Sequence, residues 1–85
     1  MTKLQILGPG CHNCRNLAAN TEKAAQQLGM EFDLEKVTSP MDIARFGVMR
    51  TPALAIEGNV KVMGRVPDVA EIVTILSTWL QTKSA

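Results

Sequence analysis

The sequence predicts an α/β fold in which a mixed four-stranded sheet is flanked by helices, in the order βαβαββα. Short segments of alternating apolar and polar residues indicate strands, and longer segments with apolar residues three and four positions apart indicate amphipathic helices. Glycine and proline separate these segments. A chain of 85 residues is expected to form one domain, covering residues 1–85.

The first half of the chain predicts two strands joined by a helix. Residues 3–7 alternate as in a half-buried strand, and a Gly-Pro-Gly sequence ends it. From about Cys11 to Leu28 the apolar side chains fall on one helical face, and Gly29 suits the end of that helix. Residues 30–35 alternate again. A crossover of this length implies that the two strands run parallel.

The second half predicts a short helix followed by a hairpin. The Ser-Pro pair at residues 39–40 suits a helix start, with a capping serine and a proline at the first helical position, and Gly47 ends that helix. Residues 53–57 and 60–63 are short apolar segments. We expect Gly58-Asn59 to join them as strands through a tight two-residue turn.

Composition and charge argue against several functional classes. The net charge is +1, and the basic residues are scattered, so neither nucleic acid nor an anionic membrane is an expected partner. The first apolar stretch is too short for a signal peptide or a membrane span. We expect a cytoplasmic monomer, in a compartment where structural disulfides are rare and a Cys-x-x-Cys pair is more often redox-active or metal-binding.

Both cysteines, Cys11 and Cys14, form one Cys-x-x-Cys motif at the predicted start of the first helix. A disulfide across so short a loop stabilises a fold by only about 2 kcal/mol. A structural zinc site needs four Cys or His ligands, and the chain offers these two thiols and His12. Two chains could still share an ion through four thiolates. Redox chemistry requires only the residues present, because a helix N-terminus stabilises the thiolate.

In the redox interpretation Cys11 is the nucleophile, and Cys14, one turn further along the buried face, resolves the mixed disulfide. The reversible Cys11–Cys14 disulfide then serves in place of a cofactor, and no metal is required. His12 has two interpretations. It is either an exposed polar residue or, when protonated, a group that stabilises the Cys11 thiolate.

Two segments, LQILGPGCHNC and TPALAIEGNVKVMGRVPDVAEIVTIL, give the chain a resemblance to the thioredoxin superfamily over nearly its whole length. It resembles most closely the small thioredoxin-like or glutaredoxin-like redox-active disulfide proteins. The resemblance implies a thioredoxin-like fold and a thiol-disulfide oxidoreductase acting on protein or low-molecular-weight disulfides, with an unidentified reductase as second partner. It also implies that Thr51 and Pro52, joined by a cis bond, bind substrate opposite the dithiol. Arg15, Arg50 and Arg65 are individually expected to be solvated surface residues, and in this fold all three would also surround the dithiol, where they would tune it.

Two other functional classes remain open. Ferredoxin-like metal-binding domains also place a Cys-x-x-Cys after a first strand and bind copper(I) through both thiolates. That fold ends on a strand, whereas an amphipathic helix is predicted here from about Pro67 to Gln81. An interaction module with incidental thiols is the third class. Because His12-Asn13 matches neither the Gly-Pro of thioredoxins nor the Pro-Tyr of glutaredoxins, the reductant that recycles the dithiol also stays open.

Overall fold

The computed structural model describes residues 2–9 and 12–84. Over these residues the order of elements is βαβαββα, which confirms the predicted fold class, and the boundaries differ from the predicted ones by no more than three residues. In chain order the elements are β1 (Thr2–Leu7), α1 (His12–Gln27), β2 (Phe32–Val37), α2 (Pro40–Arg45), β3 (Ala53–Ile56), β4 (Asn59–Met63) and α3 (Val69–Ser84).

The four strands form one mixed sheet in the order β2-β1-β3-β4. β1 and β2 are parallel, as the length of the crossover predicted, and the other two pairings are antiparallel. Leu7 at the end of β1 is paired with Val37 and Ala53, and Ala53 is paired with Met63. The ends of β1, β2 and β4 and the start of β3 therefore meet at one end of the sheet, called here the Leu7 end.

The two faces of the sheet carry hydrophobic clusters of different size. α1 and α3 cover one face, where Leu17, Leu54 and Leu76 are fully buried in the larger cluster. The short helix α2 covers part of the other face through Ile43, which packs with Leu7 in the smaller cluster. Within the described ranges, no helix has the length and apolar character needed to cross a membrane.

The helix ends follow the local sequence signals. After α1, Gly29 adopts a φ of 65°, and the backbone N–H groups of Gly29 and Met30 donate to the carbonyls of Gln26 and Ala25, which is a Schellman motif. At α2, Ser39 occupies the N-cap position and Pro40 follows it, as expected, but the serine side chain makes no capping hydrogen bond. Gly29 thus follows the end of α1 and Pro40 begins α2, at the positions that the sequence indicated.

The hairpin turn lies one residue earlier than predicted. Asn59 is the first residue of β4, so the turn is Glu57-Gly58, and the expectation of Gly58-Asn59 was wrong. Both turn residues have positive φ, 51° at Glu57 and 83° at Gly58, as a type I′ turn requires. Glu57 is held in place because its N–H donates to the Lys3 carbonyl at 2.8 Å and its Oε1 accepts the Lys3 N–H at 3.0 Å.

Candidate dithiol site

The candidate site lies at the Leu7 end of the sheet, where α1 begins. Cys14 is in the first turn of α1 and is only 4% exposed. His12, the first residue of the helix, is exposed. Cys11 and Gly10 lie outside the described residues, so the nucleophilic role of Cys11 stays a prediction. The burial of Cys14 agrees with its predicted place on the inner face of the helix.

Cys14 packs against the loop that follows β1. A Cβ atom placed on Gly8 would overlap Cys14 Sγ, and it would lie 3.4 Å from Cys14 Cβ and 3.7 Å from Thr51 Cβ. Gly8 is itself buried, and its N–H donates to the Val37 carbonyl at 2.9 Å, which extends the β1–β2 pairing. The sequence indicated Gly8 only as a strand breaker. Its contact with Cys14 depends on the fold and has no local sequence signal.

Thr51 and Pro52 lie directly before β3, close to the same loop. The Thr51–Pro52 bond is cis, as expected. Pro52 is buried and its carbonyl accepts the Gly64 N–H at 2.9 Å, whereas Thr51 is exposed. Because Gly8 lies between Cys14 and Thr51, the structure brings this proposed substrate element and the buried thiol together.

The three arginines expected around the dithiol have different surroundings. Arg15 lines a cavity together with Cys14. The side chain of Arg50 packs over Gly64, since a Cβ there would lie 3.2 Å from Arg50 Cβ. Arg65 makes a two-fold hydrogen-bonded ion pair with Glu71 at the start of α3. This hydrogen bonding and charge attraction raise the pKa of Arg65 and lower the pKa of Glu71. A tuning role for any of the three stays a prediction.

A cavity of about 180 Å³ opens beside Cys14. It carries one thiol, two basic side chains and no carboxylate among its described lining residues, which are Ile6, Gly8, Cys14, Arg15, Lys36 and Thr38. Sequence reasoning missed Lys36 and Thr38. The parallel pairing of β1 and β2 places Lys36 next to Ile6, which also lines the cavity. The position of Lys36 beside the cavity therefore follows from the register of these two strands.

A second cavity, of about 280 Å³, lies on the α2 side of the same loop and is mostly apolar. Its described lining residues are Pro9, Thr38, Pro40, Ile43, Ala44, Val48, Met49 and Thr51. Met49 is 92% exposed, and its N–H donates to Met63 Sδ at 3.4 Å. The Met49 side chain therefore lies at the rim of a groove that reaches Thr51.

The sheet order, the buried thiol at the start of α1 and the proline before β3 together define a thioredoxin-fold protein. The thioredoxin domain family matches residues 2–77 of the chain. A thioredoxin of Methanothermobacter thermautotrophicus is 42% identical over 77 residues, which are 91% of this chain and all of that protein. A thioredoxin of Methanocaldococcus jannaschii is 34% identical over 83 residues, 98% of this chain and 95% of the relative. The chain belongs to the thioredoxin domain family, and these relatives support a thioredoxin-like redox function.

A solved structure shows the same fold at much lower sequence similarity. Thioredoxin-2, described as a component of the malaria parasite protein secretion machinery, superposes with a TM-score of 0.69 and 12% sequence identity. The match covers 92% of this chain and 82% of the parasite protein. At this level of identity the likeness concerns the fold alone.

Proposed function

We propose that the protein is a thiol-disulfide oxidoreductase whose Cys11–Cys14 dithiol reduces or exchanges disulfides in protein or low-molecular-weight substrates. The observation that carries the proposal is the position of Cys14, buried in the first turn of α1 against Gly8 and close to Thr51. A thiol held there, three residues after an N-terminal thiol, is suited to resolve an intermediate that the first thiol has formed. The thioredoxin relatives support the same chemistry.

The reaction has two displacement steps. In the first, the Cys11 thiolate attacks one sulfur of the substrate disulfide, so that a Cys11–substrate bond forms and one substrate thiolate leaves and takes up a proton. In the second, Cys14 loses its proton and attacks the Cys11 sulfur, which forms the Cys11–Cys14 bond and releases the second substrate thiolate. Two electrons have then passed to the substrate, and a separate reductase returns the dithiol to its reduced form.

We assign substrate contact to Thr51 and Pro52 and to the apolar cavity that Thr51 lines. Thr51 is exposed beside the Gly8 loop, and the cavity continues from it along Pro9 and Met49. An extended chain bound there would carry its disulfide to the start of α1. The proposal includes a reducing cytoplasmic location, since such compartments favour catalytic over structural thiols.

The proposal is tested by the reduction of insulin disulfides with dithiothreitol as electron source. The wild-type protein is expected to accelerate the reaction, and Cys11→Ser and Cys14→Ser are expected to abolish turnover. Met41→Ala is the control, because Met41 is 70% exposed on α2 and does not line the apolar cavity. A Cys11→Ser variant that keeps the wild-type rate would overturn the proposal.

A further inference from the structure

We propose that Gly8 is a positioning residue for the resolving thiol. Its missing side chain leaves the space that Cys14 Sγ occupies, and this space sets how fast Cys14 releases a substrate from Cys11. A Cβ on Gly8 would overlap Cys14 Sγ, whereas the next atoms, Cys14 Cβ at 3.4 Å and Thr51 Cβ at 3.7 Å, are at ordinary contact distance. The inference rests on the proposed role of Cys14 and concerns one step of that reaction.

Gly8 is required for its small size and not for its backbone conformation. Among the glycines that the structure describes, Gly8 alone has a φ outside the positive region, while Gly29, Gly47, Gly58 and Gly64 have φ between 65° and 83°. The φ of residue 8 therefore lies outside the left-handed region that disfavours alanine. The cost of Gly8→Ala then comes from the space that the new methyl group needs.

In the Gly8→Ala variant, the Cys14 thiol is the group that has to move. Residue 8 follows the fully buried Leu7, and its N–H is bonded to the Val37 carbonyl at 2.9 Å, so its backbone is anchored to the sheet. α1 is anchored on the other side of the contact by the fully buried Leu17. Rotation about the Cα–Cβ bond of Cys14 to another staggered position is the smallest movement that removes the overlap. That rotation carries the sulfur away from its native position.

A displaced sulfur affects the second step of the reaction and leaves the first unchanged. In the second step Cys14 loses a proton, its sulfur bonds to the Cys11 sulfur, and the bond between Cys11 and the substrate breaks with release of the substrate thiolate. A misplacement of about 1 Å can slow such a reaction about 100-fold. The attack of Cys11 on the substrate does not use Cys14, so Gly8→Ala separates the two steps.

A single turnover with equimolar 5,5′-dithiobis(2-nitrobenzoate) measures both steps, because attack by Cys11 releases the first coloured thiolate and resolution by Cys14 releases the second. For Gly8→Ala we expect an unchanged first phase and a second phase slowed about 10- to 100-fold, with the adduct retained on Cys11 in the mass spectrum. A second phase at the wild-type rate, or equal slowing of both phases, would overturn the inference. Failure of the proposed function has a different signature, since the wild-type protein itself would then lack the second phase.

A double-mutant cycle on stability tests the same contact without any redox reaction. Gly8→Ala is expected to lower the denaturation midpoint in the wild-type background and to leave it nearly unchanged in a Cys14→Ala background, where the overlapping sulfur is absent. If Gly8→Ala alone does not fold, folding of the Gly8→Ala/Cys14→Ala protein supports the inference. An equal loss of stability in both backgrounds contradicts it.

Discussion

The two thiols of the motif are expected to differ in acidity. Cys11 directly precedes α1 in the sequence, where a helix N-terminus favours the anion, while Cys14 is only 4% exposed, and burial favours the neutral thiol. We therefore expect the Cys11 pKa to lie well below the free-cysteine value of about 8.5, and the Cys14 pKa to lie above that of Cys11. Alkylation rates against pH, measured separately in Cys14→Ser and Cys11→Ser, give both values.

The same titration tests His12. If its imidazole stabilises the Cys11 thiolate, His12→Ala raises the Cys11 pKa, whereas Asn13→Ala, at the adjacent exposed position, leaves it unchanged. Equal pKa values in all three proteins would show that His12 is only an exposed polar residue. A Cys11 thiol that titrates like free cysteine in the otherwise native chain would contradict its activation.

Single residues were predictable from the sequence where helical periodicity determines their environment. Cys14 shares the inner face of α1 with Leu17, so the three-residue spacing was enough to predict its burial. Gly8 and Arg65 were not predictable in this way. Gly8 meets Cys14 only because the residue after β1 lies against the first turn of α1, and Arg65 bonds to Glu71 across the loop that leads into α3. Neither the separation of Gly8 and Cys14 nor that of Arg65 and Glu71 matches the three- and four-residue spacing of a helix face.

At the scale of elements, the start of α3 depends on one carboxylate. Asp68 Oδ1 accepts the Glu71 N–H at 2.8 Å, so Asp68 supplies an N-cap to an amide that has no partner within the helix. Asp68→Ala is expected to cost about 0.5–2 kcal/mol in the free energy of unfolding, and Asp68→Asn, which keeps the acceptor, much less. Denaturant unfolding measures both, and equal losses for the two variants would show that the cap is not the cause.

The ion pair at the same helix start makes stability depend on pH. Hydrogen bonding to Arg65 lowers the pKa of Glu71 in the folded state, so the pair contributes stability above the unfolded-state Glu pKa of about 4.3 and loses it as the pH falls through the lower folded-state value. We expect Glu71→Gln to lower the melting temperature at pH 7 but to have little effect at pH 2. Glu22→Gln, at an exposed position of α1, is the control; a Glu71→Gln effect of the same size at both pH values would rule out this linkage.

Element types were predictable, but the exact turn was not. Gly58 was a sound turn signal, yet a Gly-Asn pair and a Glu-Gly pair both fit a two-residue turn around it. Tertiary contacts decide between them, because the Glu57 backbone joins the β1–β3 pairing and the Gly58 N–H donates to Oε1 of the buried Gln5 at 2.9 Å. Such partners lie more than 50 residues away in the chain, beyond the reach of local patterns.

At the scale of the whole molecule, stability is expected to depend mainly on the face covered by α1 and α3. Leu54 on β3 is fully buried in the larger cluster, so Leu54→Ala leaves a cavity and is expected to cost about 2–5 kcal/mol. Met41→Ala, at a side chain that is 70% exposed, is expected to change stability by less than about 0.5 kcal/mol. Denaturant midpoints with unchanged slopes check both values. A Leu54→Ala loss no larger than that of Met41→Ala would contradict this picture of the core.

Two of the three strand pairings of the sheet followed from the sequence. A strand–helix–strand segment of this length requires a parallel pair, and the hairpin requires an antiparallel one. These rules do not orient β3 relative to β1, and the observed antiparallel β1–β3 pairing is what brings the start of α1 and the Thr51–Pro52 segment to the same end of the sheet. The rules do not determine side-chain packing, so the two cavities beside Cys14 and Thr51 became visible only in the folded structure.

The central claim is that Cys11 attacks and Cys14 resolves, and a mixed-disulfide trap tests it most directly. Cys14→Ser should form disulfide adducts with proteins of a cell extract through Cys11, and reductant should release them. Cys11→Ser and the double variant should form none. If both thiolates instead ligate copper or zinc, either substitution should lose the metal about equally. Equal behaviour of the two single variants, with stoichiometric metal in the purified wild-type protein, would contradict the redox account.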